Sequence, residues 1–264
     1  MEFANFIQEK IKDYKIISII GLAKNVSKTT TLNHIIQALK GKYILGLTSI
    51  GRDGERYDAI TTLPKPRIFV ESGTLMATAV HSIKNSEVKI EIIKTTGINT
   101  PMGKIVIARV IANGYIELAG PSINSEFTSV CKELLNLGSN LILIDGAFDR
   151  RSYASPLVSE ATILSTGASV SKKMQKVIDI THHTMNLISL ENEENFQIIN
   201  LAKDIISKGK VGIINEDYSV KMLGLLTALD SVDEILNFMT NNYSHNTFCT
   251  YPLAGNDLPK YQPS

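Results

Sequence analysis

Two cysteines, no tryptophan and almost no net charge leave this chain outside several classes of protein. Cys131 and Cys249 can close one bridge at most, and they lack C-x-x-C spacing. Neither a disulfide scaffold nor a zinc site is indicated. A formal net charge of +1 gives no electrostatic case for nucleic acid or an anionic membrane as a bulk partner. No segment reaches the roughly 18 unbroken apolar residues that suggest a membrane span. The leading MEFANFIQEKIKDYK scatters charge where a signal peptide needs an apolar run. By elimination the expectation is a cytoplasmic protein without nucleic-acid or membrane partners. What is present suits a folded chain: over 264 residues, 44% hydrophobic and 20% charged residues favour a large core over disorder.

Along the chain, apolar residues at 3, 6, 7 and 11 fit one face of a short helix. Lys15 to Ile20 is a compact β-branched run ending at Gly21, which suits a buried parallel strand. After a polar loop, TTTLNHIIQALK places Leu32, Ile35, Ile36 and Leu39 on one helical face, and Tyr43 to Leu47 reads as a second strand. This βαβ unit predicts an α/β fold, a mostly parallel sheet flanked by helices. Val88 to Lys94, Lys104 to Ile111 and Tyr115 to Leu118 include two-residue alternation, and Asn113-Gly114 between the last two is a strong hairpin signal. An antiparallel β-hairpin excursion near 88–118, on an edge of the parallel sheet, is therefore expected. Further on, 124–137 reads as a helix and Asn140 to Ile144 as a buried strand ending in Asp145-Gly146. Strands are expected at 161–164 and 211–214, and helices at 171–187, 196–207 and 232–239. The whole of 1–264 reads as one α/β domain, with a core of about 15–195 and 196–264 as a C-terminal appendage.

The segment from Gly21 to Thr31, GLAKNVSKTTT, stands between a strand and a helix. That is where the pattern G-x-x-x-x-G-K-[ST] cradles phosphate with backbone N–H groups and a helix N-terminus. Lys28 occupies the position that reaches the β and γ phosphates, and Thr29 the hydroxyl that binds Mg²⁺. Lys24, Asn25, Ser27 and Thr30 complete the expected nucleotide-binding loop. Two departures are plain. Ser27 replaces the glycine before the lysine, and five residues rather than four separate it from Gly21. A serine there is expected to require backbone that avoids strongly positive φ. The alternative is an ordinary βα turn whose helix is N-capped by a hydroxyl residue.

Asp145, at the end of an apolar strand, matches an aspartate that holds Mg²⁺ directly or through water, and is a candidate for both metal binding and catalysis. Aspartate also ends strands for turn reasons. In 47–55, LTSIGRDGE follows the second strand, where open α/β sheets bind ligands. There Arg52 could steady a γ-phosphate, and Asp53 or Glu55 could orient water or Mg²⁺. A solvated Gly-rich turn is the equal alternative. Asp149, Arg150 and Arg151 suit a second ligand or partner, although surface ion pairing explains them nearly as well. Thr95, Thr96, Asn99 and Thr100 form a polar turn without an assigned role. His182 and His183 are adjacent on a helix and point in different directions, against a shared metal.

Taken together, GLAKNVSKTTTLN, LTSIGRDGE and IDGAFDRRSYASP resemble the P-loop-like reactivase subunit associated with lysine 5,6-aminomutase, within the P-loop NTPase superfamily. The resemblance spans most of 15–165. It implies an ATP- and Mg²⁺-binding subunit that helps release damaged cobalamin from that mutase, an adenosylcobalamin- and pyridoxal-phosphate-dependent enzyme of lysine fermentation. Its implied partners are the aminomutase and a second reactivase ATPase subunit. Ser27 bears on hydrolysis more than on fold, so ATPase activity is expected to be weak or partner-dependent. Two other readings compete. One is an ATP-dependent small-molecule ligase or kinase similar to dethiobiotin synthetase, and the other a degenerate P-loop scaffold acting only through interaction.

Overall fold

The structure, a computed structural model, describes residues 2–50, 67–84, 86–121, 123–146, 159–189, 193–208, 210–223 and 248–250. The chain divides into two compact units, Met1–Met185 and Asn186–Ser264. The first unit opens with helix α1 (Glu2–Ile11), strand β1 (Ile16–Gly21), helix α2 (Lys28–Ala38) and strand β2 (Leu45–Ser49). Strands β3 (Ile68–Val70) and β4 (Leu75–Ala79) follow, then the short helix α3 (Val80–Lys84). Next come β5 (Lys89–Thr100), β6 (Gly103–Ala112), β7 (Gly114–Ile116), helix α4 (Asn124–Asn136) and β8 (Leu141–Asp145). β9 (Ala161–Ser165) leads to α5 (Met174–Ile188).

Seven strands form one sheet in the order β5-β6-β4-β2-β8-β1-β9. From β4 to β9 every pairing is parallel, and β6 and β5 add antiparallel strands on the β4 side. This is the expected α/β architecture, a mostly parallel sheet with an antiparallel excursion. Parallel strands covered on both faces read as unbroken apolar runs, because neither face meets water. Accordingly β2 is buried along its whole length and β1 at all but Ile16. Alternation still decides the partner of each side chain. Leu141 and Leu143 join Leu32, Ile35 and Ile36 of α2, Leu39 just past its end, and Ile7 and Ile11 of α1. Ile142 and Ile144 instead meet Phe127, Val130, Cys131 and Leu134 of α4. Helices thus cover both faces. Since the parallel strands share one direction, β1, β2, β8 and β9 all end on the same edge of the sheet.

The hairpin differs from the sequence expectation. Its turn is Pro101-Met102, with Thr100 paired to Gly103 and Gly103 at φ +98°. The threonines and asparagine expected in a polar turn at 95–100 extend β5 instead. Thr100 stabilises the tight turn by donating to the Gly103 carbonyl at 2.7 Å and accepting from the Met102 N–H at 3.2 Å. Asn113-Gly114 turns no hairpin. The Asn113 side chain accepts from the Ser72 N–H at 2.8 Å, and β7 pairs antiparallel with β3. Gly114 passes so close to Val88 that a β-carbon would lie 3.1 Å from its Cα. The pair marks a close crossing of chains, a second use for small turn residues. β3, β4 and α3 had no counterpart in the sequence reading, and the second strand runs 45–49 rather than 43–47.

In the second unit, α6 (Phe196–Ser207) packs on β10 (Val211–Ile214), which lies between β11 (Val220–Leu223) and β12 (Phe248–Thr250) in an antiparallel sheet. α6 is capped as sequence chemistry prescribes: Asn195 has φ −73°, ψ 105°, and its side chain accepts from the N–H groups of Gln197 and Ile198. β10 is buried throughout, and Gly212 leaves room for Ile205, whose Cγ2 would stand 2.9 Å from a β-carbon there. The helix expected at 232–239 lies outside the described residues.

Candidate functional site

β1 ends at Gly21 and α2 begins at Lys28, so the intervening loop stands at the carboxyl edge of the sheet. Within it Asn25 and Ser27 both take left-handed backbone, at φ +59° and +64°. Ser27 therefore does not avoid positive φ, as the sequence reading had required. It holds the conformation for which glycine is the default residue, at a cost of roughly 1–2 kcal/mol for an L side chain. Left-handed residues in a loop turn backbone N–H groups into concavities that suit anions.

Nor is Ser27 an ordinary N-cap. A capping serine has extended backbone and accepts a hydrogen bond from the first turn. Ser27 is left-handed at φ 64°, ψ 26°, and its side chain makes no capping bond. The first helical bond runs from the Thr31 N–H to the Ser27 carbonyl at 2.9 Å. α4 also lacks a side-chain cap, at Ile123, but has Glu126 in its first turn. The first turn of α2 holds no acid to balance the positive end of the helix dipole. Lys24, Asn25, Ser27 and Thr30 are exposed, whereas Lys28 and Thr29 are half-buried.

Gly21 shapes the base of this loop by its missing side chain. A β-carbon there would lie 2.5 Å from Val26 Cγ2 and 2.9 Å from Lys28 Cγ and Cδ. The lysine stem therefore crosses directly over Gly21, and its Nζ donates to the Ala23 carbonyl at 3.4 Å. The displaced glycine serves close approach rather than unusual φ.

Asp145 is half-buried at the end of β8, level with Ile19 of β1 and Ser49 of β2. Its carbonyl accepts from the Ile50 N–H at 2.9 Å, and the next residue, Gly146, donates to Ile19 at 2.9 Å. A β-carbon on Gly146 would stand 2.9 Å from Ile20 Cγ2. Asp145 is thus anchored on both sides, two residues short of the level of Gly21. The neighbouring strand supplies Lys28 and Thr29 through the loop that follows it.

Two further segments border this edge, and sequence reasoning missed both. The turn after β9 is bonded to the loop: the Leu22 N–H donates to the Ser165 carbonyl at 3.0 Å, and the Ser169 hydroxyl to the Asn25 carbonyl at 3.0 Å. The stretch before α4 crosses the ends of β2 and β4. The Ala119 carbonyl accepts from Ala79 N–H, and the Ala119 N–H donates to the Thr78 hydroxyl. Gly120 sits so tightly that a β-carbon would fall 1.9 Å from the Ser49 carbonyl oxygen. The Ala119-Gly120-Pro121 triplet carried a turn signal that could have been read.

Arg52, Asp53 and Glu55, together with Asp149, Arg150 and Arg151, lie outside the described residues. His182 and His183 are exposed on α5. Among the described residues no group of three or more His, Cys, Asp or Glu side chains could hold a metal ion. Mg²⁺ with a nucleotide needs no such cage, because phosphates and water fill most of its octahedron. Thr29 and Asp145, both half-buried, are the side chains at this edge with the oxygen chemistry that Mg²⁺ takes. Cys131 is buried and free, its thiol pushed up to about 12 by burial. Among the described residues no helix is long and apolar enough to cross a membrane.

Compared with protein-family models, curated proteins and solved structures, the chain has no match. The fold is that of an α/β protein with a mostly parallel seven-stranded sheet.

Proposed function

We propose that this chain binds Mg-ATP at the carboxyl edge of its parallel sheet, with a P-loop NTPase type of fold. The observation that carries this reading is the left-handed, uncapped Ser27 at the head of α2. A helix N-terminus without an internal cap or acid is suited to an external anion. In this reading Lys28 extends from its fold over Gly21 to the β and γ phosphates. Thr29 and Asp145 hold Mg²⁺, whose charge neutralises the phosphate oxygens. Asn25, Ser27 and Thr30 line the loop, and Lys24 adds a second cation. Arg52 and Asp53 retain their proposed roles of steadying phosphate and orienting water.

On the resemblance of its three segments, we assign this binding to a reactivating or chaperone subunit for adenosylcobalamin-dependent lysine 5,6-aminomutase. A cofactor trapped in a closed enzyme is released only if something binds the open state preferentially, and nucleotide binding can supply that bias. Titration calorimetry of Mg-ATP against wild type and Lys28→Ala tests the binding. Wild type is expected to bind and the variant to lose at least ten-fold in affinity, by loss of a charge-assisted contact of about 1.5–3 kcal/mol. An unresponsive wild type would sink the nucleotide reading. Hydrolysis stimulated by added mutase supports the reactivating role, whereas turnover of a small acceptor without it favours the ligase or kinase.

A further inference from the structure

The end of β9 and the turn that follows it are tied to the loop and its helix at three places. The Ser165 carbonyl accepts from Leu22 N–H at 3.0 Å, the Ser165 hydroxyl approaches Thr31 Oγ1 at 3.5 Å, and the Ser169 hydroxyl donates to the Asn25 carbonyl at 3.0 Å. The turn has its own anchors. Val170 N–H closes it onto the Gly167 carbonyl at 3.0 Å, and the Thr166 and Thr181 hydroxyls meet at 3.0 Å. Thr181 in turn donates to the Val177 carbonyl at 2.7 Å, within α5. A segment held to the body of the unit thus grips a loop that contains two exposed, left-handed residues, Asn25 and Ser27.

Ser169 has a directional consequence. A peptide unit is planar and trans, so its C=O and N–H point in opposite directions. No cis peptide bond occurs among the described residues. By holding the Asn25 carbonyl toward the turn, Ser169 aims the Val26 N–H away from it. Asn25 and Ser27 sit in backbone that costs roughly 1–2 kcal/mol each for L residues, so an untethered loop would relax toward other conformers.

We infer that the 165–169 turn is a positioning strap for the phosphate loop, with Ser169 as its latch. The inference rests on the reading of this loop as a phosphate site. Ser169 acts through the Asn25–Val26 peptide and needs no contact with the ligand.

The test uses the full chain as wild type, Ser169→Ala and Ser169→Thr. Two quantities are measured: amide hydrogen exchange without nucleotide at Leu22, whose N–H is bonded to the Ser165 carbonyl, and affinity for Mg-ATP and for inorganic triphosphate. Loss of one exposed hydrogen bond is expected to speed Leu22 exchange about three-fold and to weaken both ligands about three-fold in Ser169→Ala. Ser169→Thr, which keeps the hydroxyl, is expected to restore both. Unchanged Leu22 exchange in Ser169→Ala overturns the inference whatever the ligands do. So does a loss confined to Mg-ATP with triphosphate unaffected, since that marks a contact with the nucleoside. A wild type that binds neither ligand overturns the phosphate-site reading, and the inference with it. A wild type that binds both, with Ser169→Ala unaltered, overturns the strap alone.

Discussion

The stem of Lys28 lies across Gly21, its Cγ and Cδ each 2.9 Å from where a β-carbon on that glycine would stand. The two residues are seven apart in sequence but are packed as one unit, the base of the loop and the cation above it. Gly21→Ala forces either the stem or Val26 to move. We expect a destabilisation of about 1–3 kcal/mol, read from the urea midpoint, with Mg-ATP affinity falling as Lys28 is displaced. A variant with wild-type midpoint and affinity would show that the close packing does not constrain the loop.

Ser27→Gly is expected to stabilise the chain by about 0.5–1 kcal/mol, because glycine adopts left-handed backbone without a steric penalty but gives up more entropy on folding. Chemical denaturation measures it. Ser27→Val, β-branched at φ +64°, is expected to change stability in the opposite direction.

Gly120→Ala is expected to be more damaging than Gly21→Ala. The obstacle is the Ser49 backbone oxygen at 1.9 Å, which cannot rotate away as a lysine stem can. Loss of more than about 3 kcal/mol, or failure to accumulate as folded protein, follows from moving the backbone of a buried central strand. Circular dichroism with thermal unfolding reads the outcome.

Asp145→Asn removes the carboxylate proposed to face Mg²⁺ while keeping its size. Nucleotide affinity in the variant is expected to become nearly independent of Mg²⁺, whereas wild type weakens when EDTA is added. Equal EDTA sensitivity in the two proteins would remove Asp145 from the metal site.

Cys131 predicts a pH dependence. Its folded thiol, at about 12, stands above the ordinary 9.0, so between those values the unfolded chain has lost a proton that the folded chain retains. Stability contributed by the neutral buried thiol is whole below about pH 9 and declines as pH rises toward 12, by up to about 1.4 kcal/mol per pH unit. Unfolding of wild type and Cys131→Ala between pH 8 and 10 separates this slope from other groups. The same burial makes Cys131 slow toward thiol reagents in the folded protein.

Most of the parallel architecture was legible in the chain because buried strands and amphipathic helices write their environment into local runs. Lys15 to Ile20, Asn140 to Ile144 and the Leu32–Leu39 face are such runs, and strand and helix formed where those patterns stand. Asn113-Gly114 misled because small turn residues serve equally where two backbones cross. Thr95 to Thr100 misled because an edge strand open to water on one side tolerates polar residues. β3, three residues long, is too short to show periodicity.

For the site, sequence alone determined the chemistry on offer: a lysine and a hydroxyl after an apolar strand, and an aspartate at the end of another. Only the tertiary structure decided that β8 lies beside β1, bringing Asp145 to the edge where Lys28 and Thr29 stand. It also decided that Gly21 serves Lys28 by close approach, that Ser27 takes the glycine conformation, and that Ser169 reaches Asn25. These are contacts between residues distant in sequence or exact in backbone angle. Local patterns cannot encode them, because a side chain's spacing along the chain says nothing about which neighbour the sheet order will supply.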